Sequence, residues 1–156
     1  MSEIAGAAES SGFDAFFVMG HVQQIGTVGA ADEPMLEAYT LVGAVAARTS
    51  RMTLGALVTG VTYRNPALLA KMVTTLDVIS GGRAILGIGA AWNEDEATRY
   101  GYRWPSVGER MDRLEDALRI CRAMFTEELA TVEGRPSTAG TRGGTPRRSR
   151  RPGWGP

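Results

Sequence analysis

The chain has few of the residues on which covalent, metal or hydrolytic chemistry usually rests. Its 156 residues include one cysteine, Cys121, and one histidine, His21. A single cysteine excludes an internal disulfide and a cysteine-based zinc cluster. Cys121 falls within an apolar stripe and reads as core packing. No G-x-S-x-G stretch occurs, so the sequence offers no nucleophile elbow for a hydrolase built on His21. No run is long and apolar enough to cross a bilayer, and the N-terminus lacks a signal peptide's basic and apolar regions. A soluble cytoplasmic protein is expected. Acid is missing from one end: all seventeen Asp and Glu lie at or before Glu133, with eleven Lys and Arg, whereas 135–156 carries six Arg and no acid. The net charge of zero thus joins a body near −6 to a tail near +6.

What is present is a globular body, 44% hydrophobic, with a repeating order. "GFDAFFVMG" (Gly12 to Gly20) is a short, nearly continuous apolar run, which predicts a strand buried on both faces. "RMTLGALVTG" (Arg51 to Gly60) and "GRAILGIGA" (Gly82 to Ala90) predict two more. Between them lie helical signals. Pro34 after Asp32 and Glu33, and Pro66 after Asn65, each suit a first helical turn behind a capping side chain. "SGG" (Ser80 to Gly82) then breaks the second of these helices. From Glu109 to Phe125, Met111, Leu114, Leu118, Cys121 and Phe125 mark one apolar face of an amphipathic helix. Helices thus alternate with strands in units the size of a βαβ crossover, which implies an α/β protein with a parallel sheet. Spacing alone leaves an open doubly wound sheet and part of a (β/α)8 barrel equally open.

In both architectures, ligands meet the loops at the strands' C-terminal ends. After the first strand come His21, Gln23 and Gln24; after the second, Thr59, Thr62, Tyr63 and Arg64; after the third, Gly89, Ala90, Ala91, Trp92 and Asn93. Small residues at Gly87, Gly89, Ala90 and Ala91 would let a flat ligand approach the backbone, with Asn93 supplying hydrogen bonds. The same glycines could instead merely relieve crowding between strand and helix. "GIGAAW" is not a dinucleotide fingerprint, because Trp92 stands where the third glycine belongs. A histidine placed directly after a barrel strand can exchange a proton near neutral pH, although a lone histidine is more often structural.

The run "LGALVTGVTYRNPALLAKMVTTLDVISGGRAILGIGAAWNEDE" (Leu54 to Glu96), with "GFDAFFVMGH" before it and "YGYRWPSVGERMDRLEDALRICRAMF" after it, closely resembles the luciferase-like monooxygenase superfamily. Within it, the chain is most similar to oxidoreductases that use the deazaflavin coenzyme F-420. The resemblance covers about Ile4 to Gly134. It implies a partial (β/α)8 TIM barrel over 1–134, holding strands two to four, with the ring of coenzyme F-420, or of FMN as second choice, across the barrel mouth. It implies hydride transfer to or from a small organic substrate, with His21 as catalytic proton carrier. It further implies a bulge with a non-prolyl cis peptide near Ala56 and Leu57, a cofactor contact from Thr59, and a cofactor wall from Ala90, Ala91, Trp92 and Asn93. The family's acidic residue before the histidine is replaced by Gly20, so a carboxylate contact to the cofactor or to His21 is expected to be missing.

The ends depart from the family. Met1 falls where the family's first helix is under way, and the later strands do not appear, so an incomplete and catalytically incompetent barrel is expected. Its open sheet edges would favour pairing with other copies or a purely interacting role. Residues 135–156 read as a disordered basic Gly/Pro/Arg tail. "RRSRRPGW" has the charge for phosphate contacts, but a solvated end needs only this composition, so nucleic acid is not the expected partner.

Overall fold

The computed structural model describes residues 1–127, 130 and 132. The expected tail over 135–156, and the end of the 1–134 domain, lie outside the described residues. Among the described residues ten elements follow in order: α1 (Ser2–Ser10), β1 (Ala15–Val18), α2 (Ala38–Ala46), β2 (Thr53–Ala56), β3 (Thr59–Gly60), α3 (Pro66–Ser80), β4 (Ala84–Ile85), β5 (Ile88–Gly89), α4 (Glu94–Arg99) and α5 (Val107–Thr126).

Every strand pairing among the described residues is parallel. β1, β2 and β4 form one sheet in that order, and β3 pairs with β5. The second and third apolar runs each break into two short strands. The reason lies in the register: Gly55 pairs with Ile85, but Thr59 pairs with Ile88. Three residues on one strand therefore face two on the other, which is the count of a β-bulge. The non-prolyl cis peptide joins Leu57 to Val58 inside this bulge, one bond after the position implied by resemblance. Gly87 permits the close approach of the two strands here, because a Cβ on it would lie 2.2 Å from the Ala56 carbonyl oxygen.

The helix ends follow their capping chemistry. The Asn65 side chain accepts from the amides of Ala67 and Leu68, with Pro66 in the first turn, as expected. Gly81, at φ 69°, takes the left-handed conformation that ends α3. By contrast, α2 does not begin at Pro34. The Glu37 carboxylate accepts from the Thr40 amide and starts the helix at Ala38, leaving Pro34 in the preceding loop.

Helices α2 and α3 pack on the sheet, α1 packs on α2, and α5 packs on α3. Met52, Leu54, Val42, Val45 and Leu76 fill one part of the core, and Ala56, Leu69, Val73 and Tyr39 the other. Only one sheet face is covered among the described residues. Phe17, Gly55 and Ile85 form one row across the three strands, and Phe17 and Ile85 are exposed. β1 is therefore not buried on both faces, because the helices stand on one side of it. The apolar face of α5 agrees with the expected one at Cys121 and Phe125 and departs from it at Met111 and Leu118. Ala117, Cys121 and Ala123 are buried, whereas Met111 and Leu118 are exposed. The small side chains bring α5 close to α3, Phe125 packs half-buried against the core, and Met111 and Leu118 are left outside. Burial pushes the Cys121 thiol above its ordinary pKa, consistent with a packing role.

Candidate active site

The C-terminal ends of the strands converge on a cavity of about 300 Å³. Its walls are Gly20 and His21 after β1, Leu57 and Val58 in the bulge, Gly60 and Tyr63 from β3 and its loop, Gly89 at the end of β5, and Ala90, Ala91 and Trp92 after it. Apart from His21 and Tyr63, these residues present backbone or apolar side chains. The β5 loop adopts a conformation that most residues avoid: Ala91 sits at φ 64°. Gly60 leaves it room, since a Cβ there would lie 3.1 Å from the Ala91 methyl. The turn swings Trp92 back, so its ring meets that of His21 edge-on at 5.5 Å between centroids.

His21 is held from behind. Its Nδ1 lies 2.6 Å from Oε2 of Glu96, a fully buried carboxylate in the first turn of α4. The same oxygen accepts from the Tyr63 hydroxyl at 2.8 Å. Oε1 accepts from the backbone amides of Val22 and, at 3.3 Å, Gln23. Burial first, and then the bond to Glu96, push the Tyr63 phenol well above its ordinary pKa, so it remains a hydrogen-bond donor. One buried carboxylate thus ties together the loops after β1 and β3 and the start of α4. The carboxylate contact to His21 that Gly20 does not provide is supplied by Glu96, 75 positions further along the chain than the histidine.

Of the catalytic and cofactor-binding residues implied by the resemblance, His21, Leu57, Ala90, Ala91 and Trp92 line this one cavity. Ala56, Thr59 and Asn93 are not among its walls. Ala56 is buried against α2 and α3. Thr59 is fully buried with its hydroxyl 2.7 Å from that of Tyr39. The Asn93 side chain caps α4 by accepting from the Glu96 amide. Sequence reasoning did not assign Glu96 to the site. The signal was present, because Asn93-x-x-Glu96 has the spacing of a capping box. In a capping box, however, the glutamate returns to its own helix end, whereas here it reaches across to the loop after β1.

A parallel strand-helix arc with its cavity at the strands' C-terminal ends is the architecture of a barrel enzyme. The profile of the luciferase-like monooxygenase family matches residues 1–154, and the chain belongs to that family. An F-420-dependent glucose-6-phosphate dehydrogenase from Intrasporangium calvum is 40% identical over 130 residues, covering 81% of this chain and 38% of the relative. An F-420-dependent secondary alcohol dehydrogenase, solved with an F-420–acetone adduct, superposes with a TM-score of 0.74 at 27% identity, covering 85% of this chain and 40% of that one. The oxygenating constituent of 3,6-diketocamphane monooxygenase from Pseudomonas putida, solved with FMN, superposes at 0.69 with 26% identity, covering 85% and 35%. The chain therefore has the fold of part of a luciferase-like barrel, and it spans about two fifths of the length of the relatives it matches. Among the described residues, no helix is long and apolar enough to cross a membrane.

Proposed function

We propose that the chain forms one wall of the cofactor slot in a cytoplasmic oxidoreductase that transfers hydride between coenzyme F-420 and a small organic substrate. The observation that carries this reading is the convergence of His21, the Leu57–Val58 bulge and the Ala90–Trp92 loop on a single cavity. The residues present fit a flat ring. Gly89, Ala90 and Ala91 carry at most a methyl group, so a planar group can lie close to their backbone, while Leu57 and Val58 offer an apolar backing. Family membership and the F-420-dependent relatives support the deazaflavin, and the FMN-bound relative keeps FMN as second choice.

When bound, the deazaflavin supplies hydride chemistry that no side chain of this chain can provide. The chain's own residues bind, orient and handle the proton. Leu57 and Val58 exclude water from one side, and Trp92 with the Ala90–Ala91 backbone fixes the lateral position. Ala56 and Thr59 hold the bulge from behind, and Asn93 anchors the loop to α4. His21 is the proton carrier, the one imidazole on the cavity wall.

Anaerobic titration with F-420 and with FMN, followed by absorbance, tests the reading. It is carried out on this chain and on this chain joined to the remaining strands of the Intrasporangium calvum relative. The completed barrel should bind F-420 more tightly than FMN. Binding of neither by either protein would overturn the proposal.

A further inference from the structure

The cavity wall has one imidazole among the described residues, and the direction in which it can handle a proton depends on which ring nitrogen carries hydrogen. We infer that Glu96 is the positioning residue of this site, fixing His21 as the Nδ1–H tautomer and leaving Nε2 as the bare acceptor. The inference rests on the proposed role of His21 as proton carrier, and it adds a residue that the sequence did not assign.

The geometry of the carboxylate carries the argument. Nδ1 of His21 lies 2.6 Å from Oε2 of Glu96, and a carboxylate offers acceptors only, so the hydrogen of that contact belongs to the imidazole. The carboxylate cannot turn away. Its other oxygen is held by the amides of Val22 and Gln23, the residues that immediately follow His21, and Oε2 also receives the Tyr63 hydroxyl. The Glu96 amide is itself fixed by the Asn93 side chain. Among the described residues no hydrogen-bond partner meets Nε2. Trp92, edge-on to the ring, restricts it further. Orientation of an imidazole by a carboxylate at Nδ1 is a general way of presenting Nε2 to a substrate.

The two oxygens of Glu96 have different partners, and this gives a sharp test. In Glu96→Gln, the backbone amides of Val22 and Gln23 demand the amide oxygen at the Oε1 position. The –NH2 group then faces Nδ1 and must donate to it, so the ring has to move its hydrogen to Nε2. Because His21 is the sole histidine, ¹⁵N-histidine labelling of the full chain gives one pair of ring nitrogens to read, at a pH where the ring is neutral. The wild-type chain should show protonated Nδ1 and bare Nε2. Glu96→Gln should invert the two, and Tyr63→Phe, which keeps the carboxylate, should not. A wild-type chain dominated by Nε2–H overturns the inference, as does a folded Glu96→Gln variant that retains Nδ1–H. If Glu96→Gln does not fold by circular dichroism, the wild-type and Tyr63→Phe spectra decide. The tautomer is read without cofactor. A failure here is thus distinct from a failure of the F-420 titration, which tests the site itself.

Discussion

Replacing Glu96 by alanine removes the single acceptor shared by four donors: the His21 ring, the Val22 and Gln23 amides, and the Tyr63 hydroxyl. A buried donor left without a partner costs about 1–3 kcal/mol. Water entering the space that the side chain vacates can serve the donors nearest the cavity, chiefly His21. The Gln23 amide and Tyr63 hydroxyl are buried and less easily reached. The net loss should be on the order of 3–5 kcal/mol, the range seen when one partner of a buried charged contact is deleted. Glu96→Gln keeps an acceptor for both amides and conserves volume, so it should cost about 1 kcal/mol. Urea unfolding followed by far-ultraviolet circular dichroism gives the comparison, with the midpoint falling far more for alanine than for glutamine at unchanged slope. Against a total stability of about 5–15 kcal/mol, the alanine variant should sit near the edge of folding. An alanine variant within about 0.5 kcal/mol of wild type, the range of ordinary surface substitutions, would show that Glu96 does not tie the loops after β1 and β3 to α4.

Two further expectations concern the scaffold. Glu9 accepts backbone hydrogen bonds from Arg51, Met52 and Ser50, which, named from the strongest, hold its carboxyl at about 2 instead of 4.5. A carboxyl lowered on folding contributes stability above its unfolded value and loses it as pH falls through its folded value; acid titration between 4.5 and 2 should therefore destabilise wild type more than Glu9→Gln, and equal losses would refute the clamp. Gly87→Ala would drive a methyl to 2.2 Å from the Ala56 carbonyl oxygen, so the bulge must deform; the cost should be about 1–3 kcal/mol or more, read as a lower unfolding midpoint, and an unchanged midpoint would place the strands further apart than described.

Where structure follows from neighbouring residues, the sequence was legible. Asn65-Pro66 and Ser80-Gly81-Gly82 mark the two ends of α3 because capping and left-handed turns are chemistry of adjacent positions. The parallel strands and the three loops at their ends were legible from apolar runs and helix-length spacings. The implied bulge holds Ala56 and Leu57 as expected, with the cis peptide following Leu57. The division of the second and third runs into two short strands each was not legible, since strand register depends on a partner that no local pattern names. Pro34 misled because a proline suits a loop as well as a first turn, and only the Glu37 cap decides between them. Glu96 was hidden for the same kind of reason. In "NEDE" it reads as one of three acids favourable at a helix N-terminus. Three of its four partners are 73 to 75 residues earlier in the chain and the fourth, Tyr63, is 33 earlier, and only the folded barrel arc brings them to it.

The central claim is that the residues around His21 form one wall of a deazaflavin slot. It is tested most directly by adding coenzyme F-420 anaerobically to the 156-residue chain and following the ring signals of its single histidine. The account predicts a saturable shift of the His21 signals, weak in affinity because the described loops supply only one wall. Ala91→Leu, which keeps the Cβ already present at that backbone position but fills the slot with a branched side chain, should abolish the shift while the circular dichroism spectrum stays the same. Signals of His21 that do not move with F-420, or that move equally in the folded Ala91→Leu chain, would contradict it.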